Sequence, residues 1–376
     1  MKKKNVTKIL ASAMAVVFAA TMFTACGSSS TETTTAAAED TTAAAEDTTA
    51  AAADDTESKA ASGEVYSLKV QSQDPETSAT GQFLEEWAAA VEEASDGQLD
   101  ITVYHGGSLG SAAESYNMVV SGSVDIAWGL PSMSTGKFPL TDVAALPFTA
   151  EDTLQASYAL WDLYESTDYL KDEWSEVKVL LLHTNCDSPL IIKGDQINDV
   201  AGFSGRQTRF IGGASTSFAN YVGMIPVTMA PSDIYEGLEK GTIDSAANCG
   251  WDLVNSLKLY EQADYILDWH FNVNPYFFVM NWDSYNNLPE DLQAVIDEYS
   301  GYKALEYVGT KWQDVKASCE ELNKDKVYTL SDEIMDELHG YGDQVCEEWA
   351  KDYDNGTEIY EAYLERLEKY EDKIAE

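Results

Sequence analysis

The chain has 376 residues, with 23 Lys plus Arg against 65 Asp plus Glu and a formal net charge of −42. That balance excludes a nucleic-acid binder, which needs a basic surface to meet phosphates. It also repels small anions, so a local cation must overcome the field wherever one binds.

Met1-Lys2-Lys3-Lys4 is a basic leader, and Ile9 to Ala25 is an apolar run too short and wrongly flanked for a membrane span. The run ends Phe23-Thr24-Ala25-Cys26-Gly27, which looks like a bacterial lipobox with Cys26 as the lipidated residue; a simple signal peptide is the alternative. Two ester-linked chains on Cys26 would give a stable anchor, whereas one chain alone is marginal. Loss of residues 1–25 removes four lysines and leaves 19 basic against 65 acidic residues, a net −46. Residues 27–62 repeat Ala-Ala-Ala-Glu-Asp-Thr-Thr without an aromatic or large aliphatic side chain. Such a segment cannot bury a core, so 26–63 reads as a lipidated cysteine followed by a disordered acidic tether. As a flexible coil it would reach roughly 30–36 Å.

Beyond it the pattern is strand and helix in alternation. Val65 to Val70 reads as a first strand, and a helix from about Ser78 carries Phe83, Leu84, Trp87, Val91 and Ala94 on one face. Leu99 to Tyr104 and Val124 to Trp128 read as the second and third strands, with a helix between Gly107 and Gly122. This order predicts an α/β domain with a parallel sheet. Ligands then sit beyond the carboxyl ends of strands, which nominates Gln71 to Asp74, Gln73 among them, and Trp128 with Gly129. Trp128 could equally be an ordinary core aromatic. Val177 to Leu182 is a further buried strand.

The chain contains three arginines, Arg206, Arg209 and Arg366, and two of them fall in Arg206-Gln207-Thr208-Arg209. A planar bidentate donor in a chain that otherwise uses lysine suits recognition of a fixed carboxylate; two surface arginines flanking a strand are the plainer reading. Were Gln207 to Phe210 a strand, the two arginines would point to opposite faces, so at most one enters a given cleft. Alternation alone does not say which. After Asn248, Trp251 is either a ligand-stacking wall or simple packing at the start of the next helix. Asn274 to Val279 is a return strand. Pro289-Glu290-Asp291 opens a helix with apolar residues from 292 to 322, predicted to run unbroken for roughly 50 Å. Amphipathic helices near Ser331 to Trp349 and Thr357 to Tyr370 finish the chain.

The stretch Gly205-Arg206-Gln207-Thr208-Arg209, Tyr221-Val222-Gly223-Met224, Pro226-Val227, Asp233 to Leu238, Gly241-Thr242-Ile243-Asp244 and Asn248 resembles the central motif of TRAP-transporter substrate-binding proteins, solute-binding family 7. Gly107-Ser108-Leu109-Gly110, Ser121 to Asp125 and Leu146-Pro147-Phe148 look like further landmarks of that family, so the resemblance runs from about residue 64 onward. It implies a two-lobe periplasmic-binding-protein-like α/β fold, with a cleft between lobes and a long helix spanning both. Lobe I would comprise 64–184 plus 274–312, and lobe II 185–273 plus 313–376 with the C-terminal helices. The family's carboxylate-binding arginine falls on Arg209 and its pocket asparagine on Asn248. Trp128, Trp251, Gln73, Phe148 and Phe277 complete the expected site. The second arginine that many members carry has no counterpart between Asn185 and Ile192.

The resemblance implies an extracytoplasmic receptor that hands a small organic acid to TRAP membrane subunits, and the lipobox-like run at Cys26 adds the expectation of a lipid anchor. An ABC-type receptor of similar architecture is the alternative. A secreted enzyme is a third reading, but no G-x-S-x-G, H-E-x-x-H or C-x-x-C motif supports it. The spacing of Cys186, Cys249, Cys319 and Cys346 gives no metal signature, and free core thiols are expected. No cofactor is expected.

Overall fold

Ser78 opens the first helix by accepting the amide of Gly81 at 3.0 Å, and Ala79–Ala94 then turns Phe83, Leu84, Trp87 and Val91 inward. The computed structural model describes residues 63–374 apart from 135, 151 and 310. The leader, Cys26 and the tether lie outside the described residues.

Two sheets organise the chain. The first has five strands in the order β2 (Leu99–Tyr104), β1 (Tyr66–Gln71), β3 (Ile126–Gly129), β10 (Pro275–Met280) and β4 (Lys178–Thr184). The second has six, in the order β11 (Val327–Tyr328), β9 (Tyr265–Leu267), β5 (Leu190–Ile192), β8 (Ser245–Ala246), β6 (Gln207–Phe210) and β7 (Ile225–Thr228). β1 pairs in parallel with β2 and β3, as the alternation predicts. β10 departs from the all-parallel expectation, running antiparallel to both β3 and β4 with Phe278 opposite Trp128 and Leu181. The chain enters it from the second sheet, and that direction of entry sets its polarity.

The central strands of the second sheet are buried on both faces. Ile191, Ala246 and Ile266 face a core continuous with that of the first sheet, while Leu190, Ile192 and Leu267 face a separate cluster with Phe203, Phe210, Phe218, Trp269 and Phe271. Leu338 and Val345 of helix Asp332–Asp352 close that second cluster. Helix Gly356–Lys369 returns to the first lobe, where Gln155 of helix Thr153–Ser166 donates to the Leu367 carbonyl at 3.0 Å.

The long spanning helix is not continuous. It is three pieces, Glu290–Glu298, Tyr302–Val308 and Lys311–Asn323. The breaks fall at Gly301 (φ 56°) and Gly309 (φ 37°), in the left-handed region that glycine adopts without penalty. At Gly301 the backbone N–H turns aside to the Leu180 carbonyl at 2.7 Å, which ties the break to β4. The third piece carries Trp312 and Cys319 into the core shared by the two sheets.

Candidate functional site

The lobes are joined by two crossovers that pair with each other, one between β4 and β5 and the other between β9 and β10. The Asn185 amide donates to the Asn274 carbonyl at 3.1 Å, the Ser188 amide to the Asn272 carbonyl at 2.9 Å, and the Asn274 amide to Asn185 Oδ1 at 2.9 Å. Around this hinge the carboxyl ends of strands from both sheets converge. Two cavities open between the lobes there. One, of about 260 Å³, is lined by Ser132, Phe138 and Asp142 of the first lobe and by Ile211, Gly213 and Ser215 of the second. The other, of about 430 Å³, lies between Thr77 and Gln82, Asp252, and the face of Lys311–Asn323.

Arg209 lines neither cavity. It is 1% exposed, near the end of β6. Its Nη1 donates to the Asn248 carbonyl at 2.9 Å and the Ala247 carbonyl at 3.2 Å, and its Nε to the Met229 carbonyl at 3.3 Å. These bonds fix the plane of the guanidinium without neutralising it. Among the described residues no acceptor takes Nη2 and no carboxylate forms an ion pair with Arg209. Its charge reaches the hydroxyl of Tyr276 at the start of β10, so it acts toward the opposite lobe.

Asn248 sits at φ 52°, a backbone state asparagine tolerates better than most residues. Its Oδ1 accepts from the Ile211 amide at 3.3 Å, and its Nδ2 donates to Ser215 Oγ at 2.9 Å and Asn272 Oδ1 at 3.1 Å. Both amide hydrogens are therefore committed, and the side chain ties β6, the helix Gly213–Tyr221 and the hinge together. Arg206 has a separate role. Its guanidinium binds the carbonyls of Gly202, Lys193 and Asp195, clamping the loops at the other end of β6.

Trp128 closes β3, where its Nε1 donates to His183 Nε2 at 3.0 Å and its ring stacks on Tyr276 with centroids 4.3 Å apart. Burial pushes His183 down to about 4, which keeps the ring neutral and able to accept that bond. Burial foremost, then the nearby Asp252, holds the Cys186 thiol well above its ordinary value. All four cysteines among the described residues are free and buried.

The family model for bacterial extracellular solute-binding protein, family 7, matches residues 70–352. The chain belongs to this family. It is 22% identical over 276 residues, 72% of this chain and 83% of the other, to the 2,3-diketo-L-gulonate-binding periplasmic protein YiaO of Escherichia coli. A solved TRAP solute-binding protein from Rhodoferax ferrireducens, in complex with copurified benzoate, superposes with a TM-score of 0.76 at 26% identity, over 82% of this chain and 99% of that one. A marine metagenome TRAP protein specific for aromatic acids, holding 3-hydroxybenzoate, gives the same TM-score at 23% identity, with coverage of 82% and 99%. Family 7 members are solute receptors of TRAP systems rather than enzymes, and the ABC-type alternative finds no support. The family is extracytoplasmic, and no helix among the described residues is long and apolar enough to cross a membrane.

Within the family 7 frame the remaining expected site residues separate. Trp251 is fully buried at the head of helix Trp251–Ser256, beside Asn248, with its indole Nε1 lacking any hydrogen-bond partner among the described residues. Gln73 is half-buried just past β1, and its Oε1 likewise lacks a partner. Phe277 does not join them. It packs in the first lobe against Tyr116 and Trp174, because alternation along β10 sends it to the face opposite Tyr276. Phe148 is also elsewhere: it leaves the first lobe to insert among Phe218, Phe271 and His339, with ring centroids 4.7–5.5 Å away. It pins the lobes together behind the cleft.

Asp74 falls within the nominated Gln71 to Asp74, whereas Tyr276 and Asp252 were not singled out by the sequence. Tyr276 could have been reached only by knowing the phase of a strand buried on both faces. Asp252 is anonymous among 65 acidic residues. Asp187, Asp268 and His270 could hold a metal by geometry, but Lys316 already places its ammonium 2.9 Å from Asp187 Oδ1 and supplies the cation.

Proposed function

We propose that this family 7 receptor binds a small organic acid through Arg209 and delivers it to TRAP membrane subunits, held to the membrane by lipid on Cys26. The observation that carries the reading is a buried guanidinium whose Nη2 edge is left without an acceptor while its other nitrogens are fixed by carbonyls. A charged donor held this way costs little reorganisation when a carboxylate arrives. Relatives described with benzoate, 3-hydroxybenzoate and mandelate make a carboxylate the natural partner. Asn248 positions the arginine by locking the carbonyl that accepts from Nη1. The Trp128–Tyr276 stack offers the ligand a flat apolar wall from the first lobe. A ligand held by Arg209 and by that wall touches both lobes only when they are closed, which shifts the population toward the closed form.

The test is calorimetric titration with benzoate as the probe. Arg209→Ala should weaken binding by roughly two to four decades, since it strands a desolvated carboxylate. Arg206→Ala should bind as the parent does. Equal losses in the two variants, or none in Arg209→Ala, would remove the assignment. Cys26→Ser should move the protein from the membrane to the soluble fraction.

A further inference from the structure

Two carboxyls come near each other between the lobes, Asp252 on the wall of the larger cavity and Asp74 within reach of its charge. Asp74 follows β1 in the first lobe, and Asp252 is the second residue of helix Trp251–Ser256 in the second. They are close enough for Asp252 to feel the charge of Asp74, and the Tyr276 hydroxyl senses both of them together with Arg209. Burial is the main reason Asp252 rises to about 7, with Asp74 second, and burial lifts Asp74 to about 6. Neither forms an ion pair among the described residues. Lys311, which shares a cavity wall with Asp252, is spent on Glu86 at 2.8 Å, and His105, the basic group nearest Asp74, on Glu85 at 2.8 Å. The Asp252 carboxylate takes the Cys186 thiol at 3.3 Å from the hinge and the backbone amides of Asp252 and Leu253, none of which carries a positive charge.

An independent sign comes from the hinge amides. Asn274, which immediately precedes β10, is 2% exposed, and among the described residues its Oδ1 receives no donor. Its amide nitrogen is turned to Asn185 Oδ1 at 3.4 Å and Ser188 Oγ at 3.5 Å. Asn185 Nδ2 and Asp252 Oδ1 each lie 2.5 Å from the point a Cβ on Gly250 would occupy, so these groups wall one small space. A buried acceptor without a donor is costly, and a ligand that donates there removes the cost.

We infer that the ligand is a zwitterion, with its carboxylate on Arg209 and a protonated amine held by Asp74, Asp252 and the orphaned Oδ1 of Asn274. This rests on the reading of Arg209 given above. An ammonium has three donors, and the cleft offers it three acceptors. A plain carboxylate would enter against a net charge of −42 and against two carboxyls that closure desolvates together, whereas a zwitterion brings the compensating charge with it. Like charges on opposite lobes oppose closure until a cation lies between them, so the amine also serves as the signal to close.

Three probes of one shape separate the possibilities in calorimetry on the purified receptor at pH 7.5: 4-(aminomethyl)benzoate, benzoate and benzylamine, each with calcium or with EDTA. The zwitterion should bind at least about tenfold more tightly than either half-molecule, independent of calcium. Asp74→Asn with Asp252→Asn should reverse the order, benzoate gaining about tenfold or more. The same double variant should also raise the melting temperature of the ligand-free protein, which a merely structural pair would lower. Benzoate binding as well as the zwitterion in the parent, or only with calcium, would overturn the inference. If all three probes are too large, accurate mass of the ligand released by denaturing the native receptor decides: a basic nitrogen supports it and its lack overturns it. Arg209→Ala keeps the two readings apart. If that variant loses affinity while the zwitterion preference is missing, only the amine site falls; if it loses nothing, the carboxylate reading falls as well.

Discussion

Arg206 and Arg209 show how one short strand turns two chemically identical side chains to different ends. Three residues apart, they emerge on opposite faces of β6; one is spent on loop carbonyls, and the other has no acceptor for Nη2 among the described residues. Arg209→Lys should therefore behave nearly as badly as Arg209→Ala, because a single ammonium cannot satisfy Met229, Ala247 and Asn248 and still present a flat edge. A loss of at least about tenfold in benzoate affinity is expected by calorimetry; full retention would mean that charge alone matters. The hinge cluster is a second residue-level device. His270 Nδ1 and Lys316 Nζ each lie 2.9 Å from Asp187, which is 2% exposed. Burial alone would lift Asp187, but the bonds from His270 and the charge of Lys316 hold it below the usual carboxylate range, and the bond to Asp187 raises His270. Asp187 contributes above its unfolded value near 3.9 and loses that contribution as pH falls through its lower folded value. His270 contributes below about 6.5 and loses it as pH rises through its higher folded value. Asp187→Asn should cost about 3 kcal/mol in urea denaturation at pH 6, since it leaves Lys316 without its buried partner.

At the scale of elements, the broken spine is the clearest instance of glycine setting architecture. A Cβ at Gly301 would sit 2.6 Å from Trp161 Cζ2 on a backbone already at φ 56°. Gly301→Ala should lower stability by about 1–3 kcal/mol in chemical denaturation, a substitution that would be neutral or favourable in a continuous helix. The apolar spacing from 292 to 322 reads through both breaks, because periodicity records which residues face the core and not whether the axis bends. Gly301 and Gly309 were the visible hints. Other elements were plain in the sequence: β2 and β6 lie where alternation puts them, and the Ser78 cap marks the start of its helix. The antiparallel insertion of β10 was not, since strand direction is set by contacts some ninety residues away along the chain, between Tyr276 and His183 for example. Arg209 and Asn248, on which the proposed site rests, stand out in the sequence because they sit in a spaced motif. The packing of Phe277 on Tyr116 and Trp174 is not legible in the sequence, because in Pro275–Met280 every residue is buried and such a strand gives no alternation by which to choose a face.

Over the whole molecule the titrating groups of the cleft point one way. Asp74, Asp142 and Asp252 are raised to about 6, 7 and 7, chiefly by burial between the lobes. Asp142 lies across from helix Gly213–Tyr221, its Oδ2 3.8 Å from where a Cβ on Gly213 would be, so it too senses closure. A carboxyl whose folded value exceeds its unfolded value near 3.9 stabilises the fold fully below that unfolded value and loses the contribution as pH rises through 6 to 7. His270 adds a loss in the same direction above 6.5, while Asp187 sets the acid limit below about 4. The ligand-free receptor should therefore melt at its highest temperature near pH 5 and several degrees lower at pH 8, as scanning calorimetry across that range would show. A flat or rising profile would mean that Asp74, Asp142 and Asp252 are solvated and the lobes open in the absence of ligand. Scattering separates the terms, because closure shrinks the radius of gyration: if the carboxyls oppose closure, the ligand-free protein should expand between pH 5 and 8. Asp74→Asn with Asp252→Asn should stay compact throughout, since neutral amides remove the repulsion that drives the lobes apart.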